Sequence, residues 1–172
     1  MKGLIHIYCG DGKGKTSAAL GLAMRAAGRG LKVLVVRFLK NDRSGEVNVL
    51  EQIPGITVES CKKSFGFSWN MTPQEKQEAR EYYTGLFRDA WKKGAEADVL
   101  IMDELCGAIS LGFVEEELVL NALRQKPDRL EAVLTGRGPS RELVELADYV
   151  TEMKMVKHPY EKGIAAREGI EW

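Results

Sequence analysis

The chain has 172 residues, long enough for one domain with a substantial core. Lys+Arg 25 balances Asp+Glu 25, so the net charge is zero and bulk electrostatics points to no nucleic-acid partner. Hydrophobic residues make up 44% and charged residues 29%, an ordinary globular composition, and no apolar run approaches the ~20 residues of a membrane span. Met1-Lys2-Gly3 leads directly into an apolar segment, which predicts no cleaved leader. Cys9, Cys61 and Cys106 are odd in number, widely spaced and form no C-x-x-C pair. They read as free thiols, so a reducing cytoplasm is expected.

In chain order, the apolar run 4–8 predicts a first strand, followed by the loop Gly10-Asp11-Gly12-Lys13-Gly14-Lys15-Thr16-Ser17. A helix is expected over 16–29, stopped by Gly28 and Gly30. Residues 32–38 are nearly all apolar and β-branched and read as a buried strand. Residues 40–45 are a polar loop, 46–52 a short helix and 56–59 a short strand. Residues 61–71 are irregular and carry Phe65, Phe67 and Trp69. Thr72-Pro73-Gln74-Glu75 is a capping box opening a long helix to about Lys93. Residues 98–104 form a hydrophobic strand ending in Asp103-Glu104. A helix over 114–125, a strand over 131–135, a helix from Pro139 to about Ala147 and a last strand over 149–156 follow. The tail 157–172 has no clear period. Strands alternate with helices throughout, so the expectation is one α/β domain spanning 1–172. It has three layers and a mainly parallel sheet of about six strands, like a P-loop NTPase.

The chemistry concentrates at strand carboxyl ends, where ligands bind in such sheets. Strand, glycine loop and helix form the context of a phosphate-binding P-loop. Gly10, Gly12 and Gly14 let successive N–H groups converge on one anion, and the helix start adds its dipole. Asp11, Lys13 and Ser17 complete the candidate ATP-binding loop. Lys15 reaches phosphate oxygens, and the Thr16 hydroxyl suits Mg²⁺. The pattern G-x-x-x-x-G-K-[ST] places glycine where this chain has Cys9. Asp103-Glu104 resembles the acidic strand end that holds the same metal, with Glu104 expected ahead of Asp103. Arg137, between Gly136 and Gly138, suits a phosphate; the plainer alternative is a turn arginine in a surface ion pair. For Phe67 and Trp69 two readings stay open: they cover the core, or they line a site for a large flat ligand. His6 and His158 are isolated, and no nucleophile triad or zinc set emerges. The loop and the acids thus define an Mg-nucleotide site without identifying the bond that is cut.

The glycine loop and Val35-Val36-Arg37-Phe38-Leu39-Lys40 resemble the P-loop corrinoid adenosyltransferases (ATP:cob(I)alamin adenosyltransferases). Gly66-Phe67-Ser68-Trp69, Asp103-Glu104-Leu105, Thr135-Gly136-Arg137-Gly138, 156–163 and 169–172 extend the likeness over essentially the whole chain. The resemblance implies transfer of the 5′-deoxyadenosyl group of ATP to Co(I) of a corrinoid, with release of triphosphate, in adenosylcobalamin synthesis or salvage. It implies ATP bound in reverse of the ordinary P-loop sense, presenting C5′ to cobalt. Lys15, Arg137 and Mg²⁺ on Thr16 and Glu104 are then the positive charges around the triphosphate. It also implies that Phe67 and Trp69 crowd the corrinoid's lower face, that a reductase or flavoprotein supplies electrons, and that the enzyme is a homodimer. Family members frequently carry asparagine where this chain has Asp11, and some carry an N-terminal extension. The alternatives are a P-loop small-molecule kinase or NTPase, and a nucleotide-gated corrinoid carrier.

Overall fold

The computed structural model describes residues 2–40, 44–63, 65–66 and 68–171. Among the described residues, six strands form one sheet: β1 (Ile5–Cys9), β2 (Val33–Arg37), β3 (Ile56–Ser60), β4 (Val99–Asp103), β5 (Glu131–Thr135) and β6 (Tyr149–Glu152). Their spatial order is β3-β2-β4-β5-β1-β6, and every pairing is parallel. The helices are α1 (Lys15–Ala27), α2 (Gly45–Leu50), α3 (Pro73–Gly94), α4 (Leu105–Ser110), α5 (Glu116–Arg124) and α6 (Arg141–Leu146).

Right-handed crossovers dictate which helix covers which face. From β1 the chain moves one way along the sheet to β2 and β3, so α1 and α2 share a face. From β3 it turns back through β4 and β5 to β6, which sends α3 to α6 to the opposite face. The packing follows this rule. On the first face, Ala19, Leu20 and Ala23 of α1 and Leu50 of α2 pack on Val33, Val35, Ile101 and Val133. On the other, Tyr83 and Phe87 of α3, Leu105 of α4, Leu120 of α5 and Leu143 of α6 pack on Ile7, Leu34, Leu100 and Leu134. The central strands β2 and β4 are buried at every position, as strands covered on both faces require. Strand β1, nearer the edge, alternates Ile5, Ile7 and Cys9 inward against half-buried His6 and Tyr8.

Helix α3 carries the expected capping box. The Glu75 N–H donates to Thr72 Oγ1 at 3.2 Å, and the Thr72 N–H donates to Glu75 Oε2 at 2.7 Å. Several elements differ from the sequence expectation. Strand β4 ends at Asp103, and Glu104 is the N-cap of α4, a helix absent from the expected order. Strand β6 stops at Glu152 rather than 156, because it pairs only with β1, which ends at Cys9 opposite Glu152. The tail, for which the sequence shows no clear period, includes a short 3-10 turn, Pro159–Lys162, and 61–71, expected to be irregular, includes another, Ser68–Asn70.

Candidate active site

Strand order places the chemistry. Strand β5 lies between β1 and β4, so the glycine loop after β1 and Asp103 ending β4 flank Thr135 at the end of β5. Cys9 is a buried strand residue, and the turn begins at Gly10 with φ 102°. The missing first glycine is therefore compensated one residue later. A Cβ on Gly10 would stand 2.4 Å from the Met153 carbonyl oxygen, so this position requires glycine on two grounds. Gly14, with φ 117°, delivers the chain into α1.

Lys15 is buried, and its ammonium donates to the Gly12 carbonyl at 2.8 Å, folded back along its own loop. Burial pushes this ammonium below the ordinary lysine range. Glu104 opposes the shift, and the nearby Arg137 and Lys40 cations add to it. Exposed Arg137 also approaches the Asp11 carbonyl at 3.5 Å. Lys15, Arg137, Glu104 and the loop are thus neighbours. The Asp11 carboxylate accepts the Met155 N–H at 3.0 Å, which holds its carboxyl below the usual range. The Gly12 N–H donates to the Met153 carbonyl at 2.7 Å, and Lys13 Nζ donates to the Ile170 carbonyl at 2.9 Å and pairs with Glu171 at 3.0 Å. The tail is thereby stitched across the outer side of the loop. Between them lies a cavity of about 820 Å³ whose walls include Lys13, Met155, His158 and Tyr160. Ser17 is exposed on the first turn of α1.

Asp103 is fully buried and collects three donors. Thr16 Oγ1 donates at 2.9 Å and Thr135 Oγ1 at 2.7 Å, both to Oδ1; Lys40 Nζ donates at 2.9 Å to Oδ2. Lys40 also donates to Thr16 Oγ1 at 2.7 Å. Thr135 in turn accepts the Glu104 N–H at 2.9 Å, and Glu104 adopts φ 62°, a left-handed conformation uncommon outside glycine. That turn points the Glu104 carboxylate back over α4, with Oε2 3.0 Å from where a Gly107 Cβ would stand. The hydroxyl expected to hold metal is therefore joined to Asp103. The sequence places the Lys40 loop and Thr135 at strand carboxyl ends beside the glycine loop and Asp103, but it assigns neither side chain a role; Thr135 ends β5 and Lys40 lies three residues past β2.

Among the described residues, no group of three or more His, Cys, Asp or Glu could hold a metal ion unaided. The donors do suit Mg²⁺, which binds through one or two carboxylates plus substrate phosphates. A cation already stands on two of these oxygens, the Lys40 ammonium.

Trp69 lies on the 3-10 turn Ser68–Asn70 and is 75% exposed, so it is not a core cover. It rims a cavity of about 300 Å³ whose walls include Leu39, Cys61, Phe65, Tyr83 and Phe113. Phe67 falls outside the described residues. Phe65 is the aromatic that serves the core, with its ring centroid 5.6 Å from Tyr82 and 5.7 Å from Tyr83.

A family described as ATP:corrinoid adenosyltransferase BtuR/CobO/CobP matches residues 1–172. The corrinoid adenosyltransferase of Escherichia coli K12 is 36% identical over 99% of this chain and 86% of its own length. Corrinoid adenosyltransferase CobA of Salmonella typhimurium LT2 is 35% identical with the same coverage. Among solved structures, the KaiC-like protein PH0186 of Pyrococcus horikoshii OT3 has a TM-score of 0.50 over 89% of this chain and 72% of that one. Its sequence identity is 17%, so that likeness concerns the fold alone. On its full-length match, this chain belongs to the ATP:corrinoid adenosyltransferase BtuR/CobO/CobP family.

Proposed function

We propose that this protein transfers the 5′-deoxyadenosyl group of ATP to Co(I) of a corrinoid and releases triphosphate intact. The match of the family across residues 1–172 carries this reading. Cobalt(I) is itself the nucleophile, so the reaction asks for alignment and for charge on the leaving triphosphate to be neutralised, not for a protein base. Backbone N–H groups of residues 10–17, apart from that of Gly12, which the Met153 carbonyl takes, wrap the triphosphate. Lys15, released from the Gly12 carbonyl, and Arg137 add positive charge. Mg²⁺ held by Thr16, Asp103 and Glu104 would neutralise the same oxygens. The hydrogen bond from Thr16 supports Asp103 over Glu104 as the metal-side carboxylate, the reverse of the order expected from the sequence.

Trp69, with Phe67, is proposed to contact the corrinoid, and the exposure of Trp69 beside a cavity supports that role. A reductase or flavoprotein as electron source and a homodimeric assembly are proposed from the resemblance. A cytoplasmic location fits three cysteines that are all free and buried. Among the described residues no helix is long and apolar enough to cross a membrane. Product analysis tests the reading. A cobalt–carbon bond with triphosphate supports it, whereas ADP with a phosphorylated acceptor indicates a kinase and no turnover a carrier.

A further inference from the structure

We propose that Lys40 is a built-in counter-cation. Its ammonium occupies the cation locus between Thr16 and Asp103 in the empty enzyme, and it passes to the triphosphate when metal-bound nucleotide arrives. This rests on the metal locus of the proposed function. Lys40 Nζ lies 2.7 Å from Thr16 Oγ1 and 2.9 Å from Asp103 Oδ2, on two of the three side chains proposed for the metal.

The placement is built into the fold. The Phe38 N–H donates to the Asp103 carbonyl at 2.8 Å, tying the end of β2 to the end of β4. Leu39 then takes φ 57°, a left-handed conformation that a leucine keeps only when its surroundings over-determine it. Cys61 Sγ donates to the Lys40 carbonyl at 2.6 Å and fixes the backbone from the β3 side. The result turns the Lys40 side chain toward α1 and the buried carboxylate. Its side chain is 29% exposed, which leaves a route out.

A divalent ion and an ammonium on the same two oxygens repel, so one must leave. Bare metal offers Lys40 no new partner on leaving. Metal-bound ATP offers it an anion at the same place. Lys40 thus keeps the buried Asp103 charge compensated in the empty site, holds the Thr16 hydroxyl in position and favours arrival of the metal with its nucleotide. It acts as a positioning residue.

The test is titration of the full chain with Mn²⁺, following free Mn²⁺ by electron paramagnetic resonance, with and without ATP. Lys40→Met should bind bare Mn²⁺ about tenfold tighter than wild type and Mn²⁺-ATP about tenfold weaker, about 1.4 kcal/mol in opposite directions. Lys40→Arg, which keeps the charge, should resemble wild type for bare Mn²⁺. A merely structural role would weaken both affinities together. Lys40→Gln replaces the Met variant if that chain does not fold. Bare Mn²⁺ binding that is unchanged or weaker in Lys40→Met overturns the inference alone, provided Asp103→Asn still abolishes Mn²⁺-ATP binding. Mn²⁺-ATP binding indifferent to Asp103→Asn overturns the metal locus and the inference with it.

Discussion

Lys15→Ala should separate catalysis from stability. Lys15 is 7% exposed, and its visible partner is the Gly12 carbonyl at 2.8 Å. Removing it deletes a hydrogen bond from a charged donor, worth ~1.5–3 kcal/mol. The same change removes the desolvation that already pushes this ammonium below the ordinary lysine range, and the repulsion from Arg137 and Lys40. The gains and losses are of similar size and opposite sign. Stability should therefore move by no more than ~1 kcal/mol, the central tendency for a point change. The reaction should suffer much more, because a preorganised positive charge on the departing triphosphate disappears. One such contact is worth ~10²–10³ in rate, or ~2.7–4 kcal/mol. The assay pairs thermal unfolding with triphosphate release from Mg·ATP and pre-reduced cobalamin. Near-normal turnover would refute the assignment of the loop. A stability loss well beyond that bound, with activity falling in step, would make Lys15 a structural residue instead.

Titrating Mg²⁺ against rate should show a larger shift for Asp103→Asn than for Glu104→Gln, since Asp103 holds the Thr16 hydroxyl; the reverse order would exchange their roles. Phe67→Ala and Trp69→Ala should each slow reaction from Co(II) by about tenfold or more, as ~1.5–3 kcal/mol of aromatic burial implies, and slow reaction from supplied Co(I) much less. Equal losses from both starting states would make the pair a scaffold or a plain substrate contact. The Lys15 ammonium is destabilised in the empty site, and bound triphosphate restores it. ATP binding should therefore take up protons, and its affinity should fall as pH rises through the lowered pKa. Calorimetry in alkaline buffers of different ionisation enthalpy checks the sign; proton release on binding would contradict it.

Residue patterns carried the layers, the parallel sheet and the loop, because buried β-branched runs and a glycine-lysine-threonine turn are local signals. Helix α4 escaped because it follows β4 without a loop. The switch occurs within Glu104, which takes a left-handed conformation that no composition rule marks. Lys40 was legible as part of a polar loop at the same sheet edge as Asp103, but its direct contact with that carboxylate depends on β2 pairing with β4. The tail lacks period because part of what orders it lies 140 to 160 positions earlier in the chain, through Asp11 and Lys13. Trp69 was legible as a residue type, but its exposure is a tertiary fact.

The central claim is that C5′, not a phosphorus atom, is attacked. Wild-type protein with Mg·ATP and chemically reduced cob(I)alamin should be followed by visible spectroscopy while the nucleotide products are resolved by anion exchange. An alkylcobalamin spectrum should rise in step with triphosphate, one for one. Formation of ADP or inorganic phosphate while the cobalamin spectrum stays that of the unalkylated corrinoid would contradict the claim.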